Sequence, residues 1–204
     1  MQLAEPYSII ILAGGQGVRL GQDKTSALLG ADTLLTQTAR NVSTLSDDLI
    51  LVVRPGQALP DGNWRLAYDI VPGAGMLAGL AGGLQVAAHD WALVIGCDMP
   101  FVSAKLVAYL ASLRNGWQVV APQCARGLEP LHAFYHRDLL PQLVAAVARG
   151  ERRLGLFLQT VPSLLAPEEL WRPYDPEGLS FFNVNTPGDL AQARARWAAA
   201  GQHH

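Results

Sequence analysis

Ser8-Ile-Ile-Ile-Leu-Ala-Gly-Gly-Gln-Gly-Val-Arg-Leu-Gly-Gln-Asp-Lys24 joins a short apolar run to a loop that contains four glycines. The β-branched run is typical of a buried parallel strand, and glycine lets the backbone that follows approach a bulky ligand closely. Arg19 and Lys24 add two cationic side chains to the amides of this loop. The stretch therefore predicts a buried strand that leads into a cradle for phosphate groups.

The glycine spacing of this loop matches neither of two common phosphate-binding motifs. Gly14, Gly15 and Gly17 do not give the G-x-G-x-x-G spacing of a dinucleotide-binding fold, and no Gly-Lys-Ser/Thr closes a P-loop. An ordinary glycine-rich connection between a strand and a helix is therefore the alternative interpretation. The choice between the two depends on residues elsewhere in the chain.

The composition is typical of one globular domain in the cytoplasm. Half of the 204 residues are hydrophobic, so we expect a single domain over residues 1–204, with its core between about 8 and 200. The formal charge of −2 and the lack of a Lys/Arg block argue against a nucleic-acid partner. Neither a signal peptide nor an apolar run of membrane-spanning length is recognisable, which argues against a membrane partner. Cys97 and Cys124 predict neither a disulfide nor a zinc site.

Apolar segments alternate with amphipathic segments along the chain, as in α/β proteins. After the strand at 8–12 we expect strands at 49–53, 64–69, 91–96, 118–122, 132–135 and 179–184. Helices are predicted at 34–45, 76–88, 104–113, 141–148 and 187–200, with a shorter helical turn at 154–159. The first strand, helix and second strand form a β-α-β unit, so these two strands should be parallel.

Two acidic residues lie at the ends of predicted strands. Asp69 ends the strand at 64–69, and Asp98 comes two residues after the strand at 91–96. Ligands of open α/β sheets bind beyond the carboxyl ends of the strands. We therefore predict that Asp98 binds a metal or substrate. A role as turn residue or helix cap is the alternative, although Ser103 is better placed to cap the next helix.

A second glycine-rich stretch, Pro72-Gly-Ala-Gly-Met-Leu-Ala-Gly-Leu80, leads into the helix at 76–88. Gly73 and Gly75 precede this helix, and we expect a ligand to pass close to them. Gly82 and Gly83 lie inside the helix, where each costs about 1 kcal/mol relative to alanine. Tight packing of the helix on the sheet is at least as good an explanation for these two.

Two further polar groups have both a functional and a structural interpretation. His132 either contacts substrate or is a structural residue of its strand, and the second is more common for a lone histidine. Arg152 and Arg153, in Gly150-Glu-Arg-Arg153, either hold a phosphate group or belong to the solvated start of a helix.

Several motifs in register resemble those of the molybdenum cofactor guanylyltransferase (MobA) family. The resemblance runs in order from about Ile9 to Leu190 and rests on the following segments: Leu12-Ala-Gly-Gly15, Arg19-Leu-Gly21, Asp23-Lys24, Asp69, Gly75-Met-Leu-Ala-Gly-Leu80, Cys97-Asp-Met-Pro-Phe101 and Asn183-Val-Asn-Thr-Pro187. Gly150-Glu-Arg-Arg153 also resembles a stretch found in members of this family.

The resemblance implies a nucleotidyltransferase with a nucleotide-diphospho-sugar-transferase-like fold. This is a three-layer α/β/α sandwich around a mostly parallel, doubly wound, Rossmann-like sheet. The residues that would bind GTP are Leu12, Ala13, Gly14, Gly15, Lys24, Asp69 and Asp98, and Asp98 would also hold Mg²⁺. Asn183 and Asn185, with the pair Arg152 and Arg153, would lie on the molybdopterin side.

The sequence departs from the family pattern at a few positions. Met76 occupies the place of the proline in Gly-Pro-Leu-Ala-Gly, and Leu20 replaces a frequent methionine. The family residue that contacts nucleotide after the second strand has no clear match near Val53-Arg54, so no role is predicted there.

The implied reaction is transfer of GMP from GTP to the terminal phosphate of molybdenum-bound molybdopterin, with release of pyrophosphate. Such a transfer needs positioned anions and charge neutralisation rather than covalent catalysis. We expect Arg19, Lys24 and Asp98 to act directly on the reacting groups. Transient contact with cofactor-biosynthesis proteins or acceptor molybdoenzymes is also expected.

Three alternatives remain open on the residues alone. Two are enzymes of the same fold: a cytidylyltransferase that acts on the same pterin, and a sugar-1-phosphate nucleotidyltransferase. The short chain and the Asn-Val-Asn-Thr-Pro ending argue against the sugar enzyme. The third is a nucleotide-binding protein that delivers cofactor without catalysis, against which the presence of Lys24, Asp69 and Asp98 together argues.

Overall fold

The computed structural model describes residues 5–14 and 27–201. The strands are β1 (Tyr7–Leu12), β2 (Leu28–Leu29), β3 (Asp32–Thr33), β4 (Leu49–Val53), β5 (Arg65–Tyr68), β6 (Trp91–Gly96), β7 (Val119–Cys124), β8 (Gly127–Leu128), β9 (His132–His136) and β10 (Ser163–Ala166). The α-helices are α1 (Leu34–Val42), α2 (Met76–Val86), α3 (Ala104–Ser112), α4 (Leu140–Ala148), α5 (Leu154–Phe157), α6 (Glu168–Trp171) and α7 (Pro187–Gly201). Strands and helices alternate through most of this order, as predicted.

The main sheet is mostly parallel. Within the described residues it has eight strands; seven follow the order β10-β7-β9-β6-β1-β4-β5, and β8 pairs with β7. β1 lies between β4 and β6 and is parallel to both, with Ile10 opposite Ile50 on one side and Val94 on the other. Only β8 and β9 pair antiparallel with their neighbours in this sheet. The predicted parallel β-α-β unit is therefore confirmed.

Helices cover both faces of the sheet. Ile10 faces a core that includes residues of α2 and α4, whereas Ile9 and Ile11 face a second core that includes residues of α1 and α3. This alternation explains why residues 9–12 of β1 are continuously apolar, since a strand buried on both faces has no solvent-exposed side. Three layers result, as predicted. None of the helices in the described part of the chain combines the length and apolar character needed to span a membrane.

The prediction of a strand at 179–184 is wrong. Leu179–Phe181 forms a 3₁₀ turn after Gly178, whose φ of +64° lies in the left-handed region. The Asp175 carboxylate accepts hydrogen bonds from the N–H groups of Leu179 and Ser180, at 3.2 and 2.8 Å. These bonds satisfy the backbone locally, so the segment needs no strand partner. The strand β10 was not predicted; it pairs parallel with β7 at the edge of the sheet.

Two glycines of α2 allow this helix to lie directly on the sheet. A Cβ added to Gly82 would stand 1.9 Å from the carbonyl oxygen of Tyr68 in β5, and one added to Gly83 would stand 2.7 Å from Cγ2 of Ile10 in β1. No side chain fits at that separation from a backbone carbonyl. The packing interpretation of Gly82 and Gly83 is therefore confirmed.

A buried carboxylate joins the amino-terminal ends of β1, β4 and β5 to the segment that follows α2. Asp48 accepts hydrogen bonds from Ser8 Oγ at 2.6 Å, Ala88 N at 2.8 Å and Arg65 Nε at 2.9 Å. Burial alone would raise the pKa of the Asp48 carboxyl, but the hydrogen bonds and the Arg65 charge together lower it below its ordinary value of 3.8. The ionised carboxylate therefore stabilises the contact between β1, β4 and the end of α2.

Replacing Gly82 by alanine should destabilise the protein by about 3 kcal/mol, because α2 must move away from Tyr68. Gly155→Ala is the matched control, since Gly155 also lies in a helix and a Cβ there meets nothing within 4 Å. It should raise the free energy of unfolding by about 0.5–1 kcal/mol. Urea unfolding measures both, and equal stabilities of the two variants would contradict the close approach of α2.

Replacing Asp48 by asparagine should lower the free energy of unfolding by about 2–4 kcal/mol at pH 7. The contribution of a carboxyl with a lowered pKa is fully present above its unfolded value of 3.8 and is lost as pH falls through the lower folded value. The difference between wild type and variant should therefore shrink in acid. Asp47→Asn, whose side chain is 81% exposed, should stay within about 0.5 kcal/mol of wild type at every pH.

Candidate active site

Four parallel strands end side by side at one edge of the sheet. β5, β4, β1 and β6 are neighbours, and their last residues are Tyr68, Val53, Leu12 and Gly96. The alignment continues into the loops, because Ala13 N donates to Val52 O at 2.9 Å and Cys97 N donates to Leu12 O at 3.2 Å. Residues that follow these strands therefore gather at the edge where α/β sheets bind their ligands.

A cleft of about 250 Å³ opens at this edge and brings together residues that are far apart in sequence. It is lined by Leu12, Gly14, Val52, Arg54, Asp69, Gly73, Gly75, Met76 and Gly79. The predicted nucleotide residues Leu12, Gly14 and Asp69 thus share one wall, as do the second-loop glycines Gly73 and Gly75. Ala13 is not among these lining residues: its side chain faces the core, and its carbonyl accepts from Gln57 Nε2 at 3.2 Å.

Asp69 lies between the two glycine-rich segments. A Cβ added to Gly79 would stand 3.1 Å from Asp69 Oδ1, and one added to Gly14 would stand 3.8 Å from the same atom. Burial raises the pKa of the Asp69 carboxyl above its usual range, and the Gly73 N–H and the Arg54 charge oppose this rise. The glycines leave room beside a carboxylate that is suited to accept hydrogen bonds from a ligand.

Arg54 is a cleft residue for which the sequence predicted no role. It follows β4 directly, and its backbone N–H donates to Gln57 Oε1 at 3.2 Å. Its stem lies close to the first loop, because a Cβ on Gly14 would stand 3.7 Å from Arg54 Cγ. The rule that drew attention to Asp69, a polar residue after a parallel strand, identifies Arg54 equally well.

Asp98 follows β6, the strand next to β1, at the same edge of the sheet. It is 8% exposed. A Cβ on Gly96 would stand 2.5 Å from Asp98 Oδ1, so the carboxylate turns back over the end of β6. Its backbone carbonyl accepts from Val184 N at 3.0 Å, which attaches the Asn183-Val-Asn185 segment to Asp98.

The chain around this segment is fixed by local hydrogen bonds. Asp189 Oδ2 accepts from Asn185 N at 3.0 Å and from Thr186 N at 2.8 Å, while Asp189 N donates to Thr186 Oγ1 at 3.1 Å. This reciprocal cap confirms the predicted start of α7. Asn183 Nδ2 donates to Phe181 O at 3.2 Å. The Val184 bond therefore holds the backbone of the Asn183-Val-Asn185 segment against that of Asp98, and the substrate roles predicted for Asp98, Asn183 and Asn185 stay predictions.

The two predicted arginines have different surroundings. Arg152 Nη1 donates to Gly73 O at 2.6 Å, which places its guanidinium on the second glycine loop. Arg153 precedes α5 and is exposed, and its backbone N–H donates to Glu151 Oε1 at 2.7 Å. Gly15, Arg19 and Lys24 lie outside the described residues, so their predicted contacts remain predictions.

His132 does not reach the cleft. His132 is fully buried, and its ring contacts the Phe181 ring edge to face with ring centroids 5.3 Å apart. Neither ring nitrogen has a hydrogen-bond partner among the described residues. Burial lowers the pKa of His132 to about 4, against the opposing charge of Asp175. The structural interpretation of this residue is therefore the one that holds.

A larger depression, of about 750 Å³, opens at the opposite edge of the sheet and includes Trp91 and Arg114. The Arg114 guanidinium carbon lies 5.3–5.6 Å from the ring centroids of Tyr7, Trp91 and Phe134. Arg114 also donates to backbone carbonyls, through Nε to Ala111 O at 2.8 Å. These contacts hold the amino-terminal ends of the strands together, and none of the predicted site residues lies here.

The sheet order gathers an acidic and glycine-rich edge at the carboxyl ends of parallel strands, where open α/β sheets bind their ligands. The MobA-like NTP transferase domain model matches residues 9–163. The chain belongs to this family, which confirms the resemblance seen in the sequence.

Related proteins match over nearly their whole length. A probable molybdenum cofactor guanylyltransferase of Deinococcus radiodurans is 38% identical over 94% of this chain and 95% of its own. One of Chloroflexus aggregans is 35% identical over 91% and 92%. The crystal structure of molybdopterin-guanine dinucleotide biosynthesis protein A from Archaeoglobus fulgidus superposes with a TM-score of 0.81, at 26% identity over 94% of this chain and 99% of that one.

The fold is shared more widely than the sequence. The 2-C-methyl-D-erythritol 4-phosphate cytidylyltransferase of Thermus thermophilus superposes with a TM-score of 0.70 at 21% identity, over 95% of this chain and 99% of that one. This likeness shows the fold alone. The predicted fold class, a mostly parallel nucleotide-diphospho-sugar-transferase-like sheet between helices, is confirmed.

The protein should lose stability as pH falls from 6.5 towards 4, because the unfolded chain binds a proton at His132 that the folded state excludes. The loss is about 3 kcal/mol, and it is absent above pH 6.5. Urea unfolding across this range should show a flatter profile for His132→Phe. An unchanged slope in His132→Phe would contradict the assignment.

Proposed function

We propose that the protein transfers GMP from GTP to the terminal phosphate of molybdenum-bound molybdopterin, forming the guanine dinucleotide cofactor and releasing pyrophosphate. The observation that carries the proposal is the convergence of Leu12, Gly14 and Asp69 in one cleft, with Asp98 on the neighbouring strand end. The names of the two bacterial relatives, which are similar over more than nine tenths of the chain, support the same reaction.

The cleft is the proposed nucleoside half of the site. Its walls are mainly backbone and apolar side chains, with Arg54 and Asp69 as the charged groups. Such a surface accepts a flat, partly apolar group and orients it with a few polar contacts. Asp69 supplies acceptor oxygens for N–H or O–H donors of the nucleoside. Arg19, Lys24 and the amides of the first loop, with Gly15, are proposed to hold the triphosphate.

A divalent metal ion is general among nucleotidyltransferases of this kind, and we propose Mg²⁺. The described residues contain no group of three or more His, Cys, Asp or Glu side chains able to hold a metal. This fits Mg²⁺, which is commonly bound by one or two carboxylates together with substrate phosphates. Asp98, a buried carboxylate at the strand end, is the proposed protein ligand. When bound, the ion would neutralise charge on the phosphates.

The acceptor half of the site is proposed to lie around Asn183 and Asn185, with Arg153 as its cation. Val184 N donates to the backbone carbonyl of Asp98, so this segment is held next to the Asp98 backbone. Side-chain amides and a guanidinium suit the polar pterin and its phosphate. With both substrates held at one edge, the acceptor phosphate oxygen attacks the α-phosphorus in line, and Lys24 and Arg19 balance the charge of the departing pyrophosphate.

The other nucleotidyl transfers are less favoured. The relatives that cover this chain at 35% and 38% identity are named for guanylyl transfer, whereas the cytidylyltransferase match is a likeness of fold. A delivery protein without catalysis would not need Lys24, Asp69 and Asp98 together. We propose one cytoplasmic nucleotidyltransferase domain over residues 1–204 that contacts cofactor-biosynthesis proteins or acceptor molybdoenzymes transiently.

Replacing Asp98 by asparagine should lower GTP-dependent pyrophosphate release by about 100-fold or more, because the site loses its proposed metal ligand. Lys24→Ala should also lower the rate. The assay supplies molybdenum-bound molybdopterin, Mg²⁺ and either GTP or CTP, and wild type should prefer GTP. Asp90→Asn is the control, since Asp90 stands at the other end of β6 with its side chain 63% exposed.

Near-normal rates in both Asp98→Asn and Lys24→Ala would contradict these roles. A wild-type protein that binds GTP yet releases no pyrophosphate with any acceptor would favour the delivery protein. Circular dichroism and thermal unfolding of each variant separate a loss of chemistry from a loss of fold.

A further inference from the structure

The second glycine loop, residues 72–75, lines the cleft through Gly73 and Gly75. Both glycines have positive φ, at +73° and +86°. Glycine loses more conformational freedom on ordering than any other residue, so such a loop is costly to hold in one shape. Ala74 N donates to Val71 O at 3.1 Å and Ala78 N donates to Gly75 O at 3.1 Å, and further support comes from outside the loop.

Arg152 provides that support from a distant part of the chain. Its Nη1 donates to Gly73 O at 2.6 Å. A Cβ on Gly75 would stand 3.5 Å from both Cβ and the carbonyl oxygen of Arg152, so the two backbones are close neighbours. The contact therefore joins the loop to the segment before α5 by a charged hydrogen bond and by backbone packing.

Gly73 accepts this bond through its carbonyl oxygen, and its N–H acts on the Asp69 carboxylate. Gly73 and Asp69 both line the cleft, and the Gly73 N–H opposes the rise in the pKa of the Asp69 carboxyl that burial causes. A displacement of Gly73 would therefore change the surroundings of the Asp69 carboxylate. Arg152, Gly73 and Asp69 thus lead from an exposed arginine to the proposed nucleoside cleft.

Hydrogen bonds also fix the backbone around Arg152. Glu151 Oε1 accepts from Arg152 N at 2.8 Å and from Arg153 N at 2.7 Å. Glu151 N donates to Ala146 O at 3.0 Å, which attaches the Glu151-Arg152 segment to α4. Residues of α4 and α2 share one hydrophobic core. The segment that carries Arg152 is thus attached to α4, and α4 shares a core with α2, the helix that follows the loop.

We propose that Arg152 is a positioning residue that holds the Gly73–Gly75 loop, and through it Asp69, in the geometry that binds the nucleotide. This inference rests on the proposed function, in which Asp69 contacts GTP. It separates the two arginines of the Glu-Arg-Arg segment: Arg152 serves the nucleotide half and Arg153 remains available to the acceptor half.

The test measures GTP binding in the presence of Mg²⁺ without acceptor, by titration calorimetry on the full chain. Arg152→Ala should raise the dissociation constant of GTP about three- to tenfold, because a charged hydrogen bond to the loop is lost. Arg152→Lys should bind more tightly than Arg152→Ala, since an ammonium group also donates to a carbonyl. Arg149→Ala removes another exposed arginine nearby and should leave binding unchanged.

A second variant tests whether the effect is one of loop order. Met76 is the first residue of α2, where proline is preorganised for the helix. Met76→Pro introduced into Arg152→Ala should therefore restore most of the lost affinity. A role of Arg152 in overall stability alone would not be rescued in this way, and thermal unfolding of all variants should remain close to wild type.

Four outcomes would overturn the proposal. The first is a GTP affinity of Arg152→Ala equal to that of wild type. The second is an equal loss of affinity in Arg149→Ala, which would indicate an effect of bulk charge. The third is a failure of Met76→Pro to restore binding, and the fourth is a rise in the KM of the acceptor alone, which would assign Arg152 to the acceptor half. Failure of wild type to bind GTP is a different result, because it contradicts the proposed function before any variant is compared.

Discussion

Parallel pairing of β1 with both β4 and β6 is the constraint on which the candidate site depends. Ile9, Ile10 and Ile11 are buried against helices on both faces of the sheet. A shift of register would expose part of this run or misalign the strand ends, and the buried faces oppose both. The backbone bonds Ala13 N to Val52 O and Cys97 N to Leu12 O continue the alignment past the strands. The first loop, Arg54 and Asp98 therefore leave the sheet at one edge.

The electrostatics of Asp69 follow from that arrangement. Its carboxylate loses water between the two glycine segments, which raises its pKa, while the Gly73 N–H and the Arg54 charge favour the ionised form. A partly desolvated acceptor forms stronger hydrogen bonds than the same group in water. Burial therefore opposes the ionisation of Asp69 and also strengthens each hydrogen bond that its carboxylate accepts from a ligand. Gly14 and Gly79 leave space beside this carboxylate, whereas Gly82 and Gly83 serve the packing of α2.

Local patterns were sufficient to predict the central strands and the candidate carboxylates. Long β-branched runs buried on both faces are distinctive, and acidic residues at their ends mark the ligand edge. The segment at 179–184 was assigned wrongly because its aromatic residues resemble a strand, while Phe181 is buried against Trp171 and His132 in space. β10 lies between Pro162 and Pro167 and is defined only by its pairing with β7. Arg54 follows the same strand-end rule as Asp69, whereas the contact of Arg152 with Gly73 joins segments far apart in sequence and no local pattern encodes it.

Only a few covalent bonds and hydrogen bonds separate the proposed nucleotide half of the site from the proposed acceptor half. Leu12 O binds Cys97 N, Asp98 follows Cys97 directly, and Asp98 O binds Val184 N between the two asparagines. The nucleotide loop and the acceptor segment are therefore both anchored on the ends of adjacent strands. In-line transfer requires reacting atoms to be held about 3–3.5 Å apart, and anchors on rigid strands hold such positions better than independent loops. The relative placement of the two substrates is thus a property of the β1–β6 pairing, while the loops determine which substrates are accepted.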